Sequence, residues 1–225
     1  MLSGCVALAG PARAEVESEA VAEVSAYFKL SDIFRVRAAA SLTKPVTETV
    51  TDGDVGLYLD VLSLEPIFGE LLSDPDLAQN RYLWGRVGYS FGEIHEGDGL
   101  KDDYRDKQFV GEITGQYPIS EGLLVEARGR VEFRTLGTAR SDRYRVRIGM
   151  EKEFTLFGRE TIPYARAEIL YDTRFEVWNS QIYQAGADIG LTDHFRIELY
   201  YSHRTDTSVQ PAHLNTVGLS LKYYR

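Results

Sequence analysis

The chain has 225 residues, with 25 Lys and Arg against 34 Asp and Glu, and a net charge of −9. An acidic balance of that size argues against a nucleic-acid partner, which calls for a basic patch. No stretch approaches the roughly 18 consecutive apolar residues of a membrane-spanning helix, and the length suits one large β-domain.

In chain order, Met1 to Ala14 reads as the tail of a secretory signal, with Ala12-Arg13-Ala14 as the small-residue cleavage site before Glu15. Leu2-Ser3-Gly4-Cys5 offers a second reading, a lipobox that would lipidate Cys5. The domain expected to follow is 15–225. Its first strand is expected over Ala22 to Leu30, and a second, Phe34 to Leu42, follows the Ser31-Asp32 turn. Thr43 to Asp54 is a polar loop, and Val55 to Val61 alternates again. Glu65 to Gln79 breaks the pattern: Ile67, Phe68, Leu71 and Leu72 share one short helical face between Pro66 and Pro75, a connector over one rim.

Beyond this connector the alternation is regular. In Val125 to Arg134 the odd positions are Val, Ala, Gly, Val and Phe, and the even ones Glu, Arg, Arg, Glu and Arg. Alternate side chains leave opposite faces of a strand, so one face is apolar and the other fully charged. The same pattern recurs at Leu83–Phe91, Phe109–Tyr117, Arg143–Glu153, Ala165–Asp172, Tyr183–Leu191, Phe195–Arg204 and Val217–Tyr223. Ile119–Gly122, Phe157–Thr161 and Thr192-Asp193 are short connections. Gly92–Lys107, Thr135–Ser141, Thr173–Ser180 and Thr205–Ala212 are longer and polar.

A period of two suits a soluble barrel as well as a membrane one, so the facing must be argued. About eleven strands would leave a soluble barrel with a poorly filled apolar interior. Aromatics on the apolar face gather near the strand ends: Phe91, Phe109, Phe133, Tyr144, Tyr171, Tyr183 and Tyr201 at the loop side, and Tyr117, Phe154, Phe195 and Tyr223 at the turn side. Tyr144 to Phe154 covers roughly 33 Å along a strand, or roughly 25 Å once tilted, the height of a lipid-facing band. The fold expected is an all-β, antiparallel outer-membrane barrel with short periplasmic turns and longer extracellular loops. Because single-chain bacterial barrels have even strand numbers, about twelve strands are preferred, with ten as the alternative. Counted back from a periplasmic C-terminus, however, the first strand begins outside, so Glu15–Val21 or the 65–79 connector is a place for one more strand.

The interior expected is lined by Arg128, Arg130, Glu132, Arg143, Arg145, Arg147, Glu151, Arg166, Glu168, Arg196 and Glu198. Such rows either border a narrow aqueous path for small solutes or pair off and close the barrel as a structural or surface protein. The alternative is a lipid-acting hydrolase, for which Ser202 with His213 across the following loop is the candidate dyad. Ser202 and His203 are adjacent and must point to opposite faces. The acidic loop Glu93 to Asp103 offers carboxylates for Ca²⁺ or for bridging to lipopolysaccharide phosphates, but its spacing matches no EF-hand, and no metal or cofactor is assigned. Trp84 reads as interior packing and Trp178 as a loop anchor.

Asn80-Arg81-Tyr82-Leu83-Trp84-Gly85-Arg86-Val87-Gly88-Tyr89, Asp142 to Arg147, Pro163-Tyr164 to Tyr171-Asp172, Trp178-Asn179 and His213 to Leu219 carry a resemblance. From about Asn80 to the C-terminus the chain resembles a domain-of-unknown-function family of Gram-negative outer-membrane β-barrels. The resemblance implies fold and location, with outer-membrane lipids, lipopolysaccharide and the barrel-assembly machinery as partners, and it brings no catalytic residues. Barrels of this kind end on an aromatic; here Arg225 follows Tyr224.

Overall fold

The computed structural model describes residues 16–46, 51–61, 83–95, 104–208 and 212–225. The signal read at 1–14, the helical connector at 65–79 and most of the acidic loop lie outside them. The described residues form β1 (Val16–Lys29), β2 (Phe34–Pro45), β3 (Thr51–Val61), β4 (Leu83–His95), β5 (Tyr104–Ser120) and β6 (Leu123–Leu136). They continue through β7 (Ala139–Lys152), β8 (Phe154–Leu156), β9 (Arg159–Asp172), β10 (Val177–Gly190), β11 (Phe195–Asp206) and β12 (His213–Tyr224).

Eleven of these strands close into a ring, and β8 stands outside it as a short extension paired only with the start of β9. Each neighbouring pair is an antiparallel hairpin except the seam. There β1 runs parallel to β12, in register from Val16↔His213 to Tyr27↔Tyr224. Each hairpin reverses the chain direction, so an odd ring can only close on a parallel pair. The mismatch in counting back from the C-terminus is therefore real, and the ring departs from the even-number rule for single-chain bacterial barrels. Of the Glu15–Val21 stretch, the described part, Val16–Val21, is no separate strand. Glu17 and Glu19 continue the inward series of Glu23 and Ser25, so Val16–Val21 is the first half of β1.

Several loops are shorter than the sequence suggests, because polar residues near the rims still pair across the ladder. Thr43 pairs with Asp52, and Phe91 with Lys107. The Thr135–Ser141 connection shrinks to a turn at Gly137-Thr138, with Gly137 at φ 60°. One rim carries connections 30–33, 62–82, 121–122, 157–158 and 191–194; the other carries 46–50, 96–103, 137–138, 173–176 and 207–212. The second is the loop rim, although the longest connection, 62–82, belongs to the turn rim.

The facing is settled by which side chains meet. Tyr164 on β9 donates its hydroxyl hydrogen to Glu198 on β11, and Lys222 on β12 reaches Asp188 on β10 at 2.6 Å. Each of these contacts skips a strand, which is possible only on the concave side of a ring. The opposite face is open: Ile148 is 61% exposed and Leu199 50%. Between the aromatic girdles the outward positions of the described strands carry no charged side chain. The girdle residues touch one another around the rims. At the loop side Phe109 lies 6.3 Å from Phe133, Tyr144 6.2 Å from Tyr171, and Tyr171 5.6 Å from Trp178; at the turn side Phe195 lies 5.1 Å from Tyr223. Trp178 thus belongs to the outward girdle and does not act as a loop anchor, because β10 begins at Val177.

Candidate functional site: a lattice of paired charges across the lumen

The inward series on β6 is Glu126, Arg128, Arg130, Glu132 and Arg134; on β7 it is Arg143, Arg145, Arg147 and Glu151. Register places Arg128 opposite Arg147 and Arg130 opposite Arg145, so cations face cations on adjacent strands. Carboxylates from both flanks separate them. Glu168 of β9 accepts from Arg128 NH2 at 2.5 Å and from Arg145 Nε at 2.7 Å. Glu132 lies 2.8 Å from Arg130 Nε and 3.1 Å from Arg145 NH1, and Glu112 of β5 lies 3.3 Å from Arg128. Glu126 takes Arg147 at 2.6 Å.

Two further knots complete the lattice. Asp60 receives Arg86 at 2.6 Å and Arg35 at 2.7 Å, with Arg86 also over the Trp84 ring at 5.3 Å. Arg166 lies over the Tyr164 ring at 3.9 Å and within 3.9 Å of both Glu151 and Glu198. Glu198 also meets Lys222 at 2.7 Å, and Arg196 joins Asp188 at 2.5 Å and Glu160 at 2.9 Å. Hydrogen-bonded pairs between ions are the strong ones, and in a confined interior each ion depends on its partner to offset lost hydration. At the loop end, Asp172 gathers Ser141 Oγ at 2.8 Å, Arg143 at 3.1 Å and Arg174 at 2.6 Å.

The lattice divides the lumen. On the loop side lies a vestibule of about 370 Å³ lined by Asp52, Asp54 and Asp106 together with Arg130, Arg134 and Arg145, where Asp106 pairs directly with Arg134. On the turn side a wider mouth of about 1120 Å³ is bordered by Arg35, Arg159, Glu160 and Arg196. Between them stand the paired side chains and three inward tyrosines, Tyr58, Tyr164 and Tyr200, each opposite a glycine of the next strand: Gly88, Gly186 and Gly218.

All eleven interior residues named from the sequence belong to this lattice. Asp60, Arg86, Glu112, Asp188 and Lys222 belong to it equally. Arg86, Asp188 and Lys222 sit singly on inward faces that are otherwise uncharged, whereas Asp60 shares its face with Asp52 and Asp54, and Glu112 with Asp106, towards the loop rim; no continuous row of charge marks any of the five. The dyad is not assembled. Ser202 is on the inward face of β11 opposite Thr216, whereas His213 is on the outer face opposite Thr205. His213 stacks instead on His203, ring centroids 5.6 Å apart. Of the acidic loop, Glu93 is described and pairs with Arg105 at 3.5 Å. No group of three or more His, Cys, Asp or Glu suited to a metal occurs among the described residues.

No protein-family model matches the chain, and neither does any curated protein sequence. Among solved structures it is similar to LpxR from Salmonella typhimurium, at 11% identity and a TM-score of 0.51, over 85% of this chain and 83% of that one. It is also similar to the β-domain of the Bordetella autotransporter BrkA, at 13% identity and a TM-score of 0.47, over 86% and 83% of the two chains. At such identities the likeness is one of fold. A closed ring with an uncharged outer band, two aromatic girdles and an ion-lined interior is built for lipid outside and polar groups inside. The chain is an integral β-barrel of the bacterial outer membrane.

Proposed function

We propose that this is a non-enzymatic barrel of the uncharacterised family it resembles, whose lumen is a charged constriction that admits water and small ions and stops larger solutes. The observation that carries this reading is the Glu168 bridge: one carboxylate holds Arg128 of β6 and Arg145 of β7 together in the middle of the ring. A path past it must thread between paired ions, and widening it means breaking contacts that replace hydration. A lipid-hydrolase reading lacks its nucleophile–base contact, since Ser202 and His213 leave opposite faces of the sheet. The barrel-assembly machinery remains the partner that would insert it.

Planar-bilayer recording tests the proposal. The wild type is expected to give small current steps or none, and the Arg128→Ala/Arg145→Ala double variant is expected to give larger ones. Large, solute-passing steps from the wild type would overturn the constriction. Equal conductance in both would remove the lattice as its cause.

A further inference from the structure

The outer face holds a second polar feature, independent of the lumen. Directly above the Phe109–Phe133 pair, register sets Lys107 of β5 opposite Thr135 of β6, and Thr135 opposite Arg140 of β7. All three occupy outward positions on one row across three neighbouring strands. Two interstrand spacings separate the Lys107 and Arg140 Cα atoms by about 10 Å, within reach of two long side chains converging over the threonine hydroxyl. Lys107 and Arg140 are exposed, and among the described residues neither has an ion-pair partner. Other described cations, Lys44 and Arg159 among them, also lack an ion-pair partner, but Lys107 and Arg140 lie on one row with a hydroxyl between them. Arg105, one outward step further along β5, is tied to Glu93 at 3.5 Å. Asp142, one outward step below Arg140 and beside Phe133, is the nearest opposing acid on the row beneath.

We infer that Lys107, Thr135 and Arg140 form a site for the phosphate of a phosphorylated glycolipid in the loop-side leaflet. The row lies where the uncharged band ends, at headgroup depth, with Phe133, Val131 and Val146 below it to receive acyl chains. Two unpaired cations and one hydroxyl match a phosphate monoester, whose charge near neutrality is about −1.5 to −2. A glycerophospholipid diester carries a single charge and would leave one cation uncompensated. Both cations donate charge-assisted hydrogen bonds, and the guanidinium can grip two phosphate oxygens at once.

Native mass spectrometry of the full chain in detergent tests this. The probes are a bis-phosphorylated, acylated glucosamine disaccharide, its dephosphorylated form, phosphatidylglycerol and inorganic phosphate. The wild type is expected to retain the bis-phosphorylated lipid about tenfold better than the dephosphorylated lipid or phosphatidylglycerol. Retention should fall by about tenfold or more in Lys107→Ala/Arg140→Ala, survive in Arg140→Lys and in the distant Lys44→Ala, and rise in Asp142→Asn. Cold-gel mobility confirms that each variant is folded. If the double variant fails to fold, Asp142→Asn decides, and unchanged retention there overturns the site. Equal retention of the dephosphorylated lipid, or displacement of the lipid by millimolar inorganic phosphate, also overturns it.

Discussion

The ring of Tyr200 lies across Gly218, its direct partner on the next strand, so closely that a Cβ there would sit 2.0 Å from the ring. The same arrangement recurs where Tyr58 covers Gly88 and where the Tyr164 hydroxyl lies against Gly186. An aromatic laid over an unsubstituted backbone shields it and fills a lumen too narrow for two full side chains. Gly218→Val should destabilise the barrel by about 1–3 kcal/mol through overpacking. Denaturant unfolding in detergent would show it as a lower midpoint, and combining it with Tyr200→Ala should restore part of the loss.

Removing Glu168 leaves two buried guanidinium groups each with one carboxylate fewer. Glu168→Ala is expected to cost about 3–5 kcal/mol, the range for breaking a buried pair. Adding Arg128→Met should recover part of that loss, because the orphaned cation is gone. A double-mutant cycle on unfolding free energies checks the coupling; additive effects would mean the bridge is not shared.

The lipid-facing assignment makes a depth-dependent prediction. Ile148 is mid-band and exposed, so Ile148→Lys should cost about 2–4 kcal/mol. Ser18→Lys, outward on β1 near the loop rim, should cost only about 0–1 kcal/mol. Reversible unfolding into lipid vesicles measures both, and similar costs at the two positions would contradict the membrane frame.

Ser202→Ala and His213→Ala should leave the lipid A of cells expressing them unchanged relative to wild type. Mass spectra of extracted lipid A provide the comparison. A difference caused by Ser202→Ala alone would revive a lumen-side chemistry that the geometry disfavours.

Alternation carried most of this architecture. Val125–Arg134 shows both faces of β6 at a glance, and the aromatics at strand ends fall on the two girdles. The rims were harder to read, because Thr43, Lys107 and Thr135 look like loop residues yet are held in strands by backbone pairing that does not depend on side-chain type. The odd ring was visible as a counting mismatch, but parity is a property of closure, which no local pattern encodes. Pairing within the lumen was beyond reach for the same reason. That Arg128 meets Glu168 follows from ring curvature, since the two lie on strands that are not neighbours.

The parallel seam also gives the molecule a polarity that an even barrel lacks. Val16 and Arg225 lie at opposite mouths, since β1 and β12 ascend together. A peptide joining those two residues would have to travel the full height of the wall, through the ion-filled bore or along the hydrocarbon. Circular permutation with a short linker, feasible where first and last strands meet at one edge, is closed to this fold. Reporter tags placed ahead of Val16 and after Arg225 should accordingly answer to reagents on different sides of the membrane.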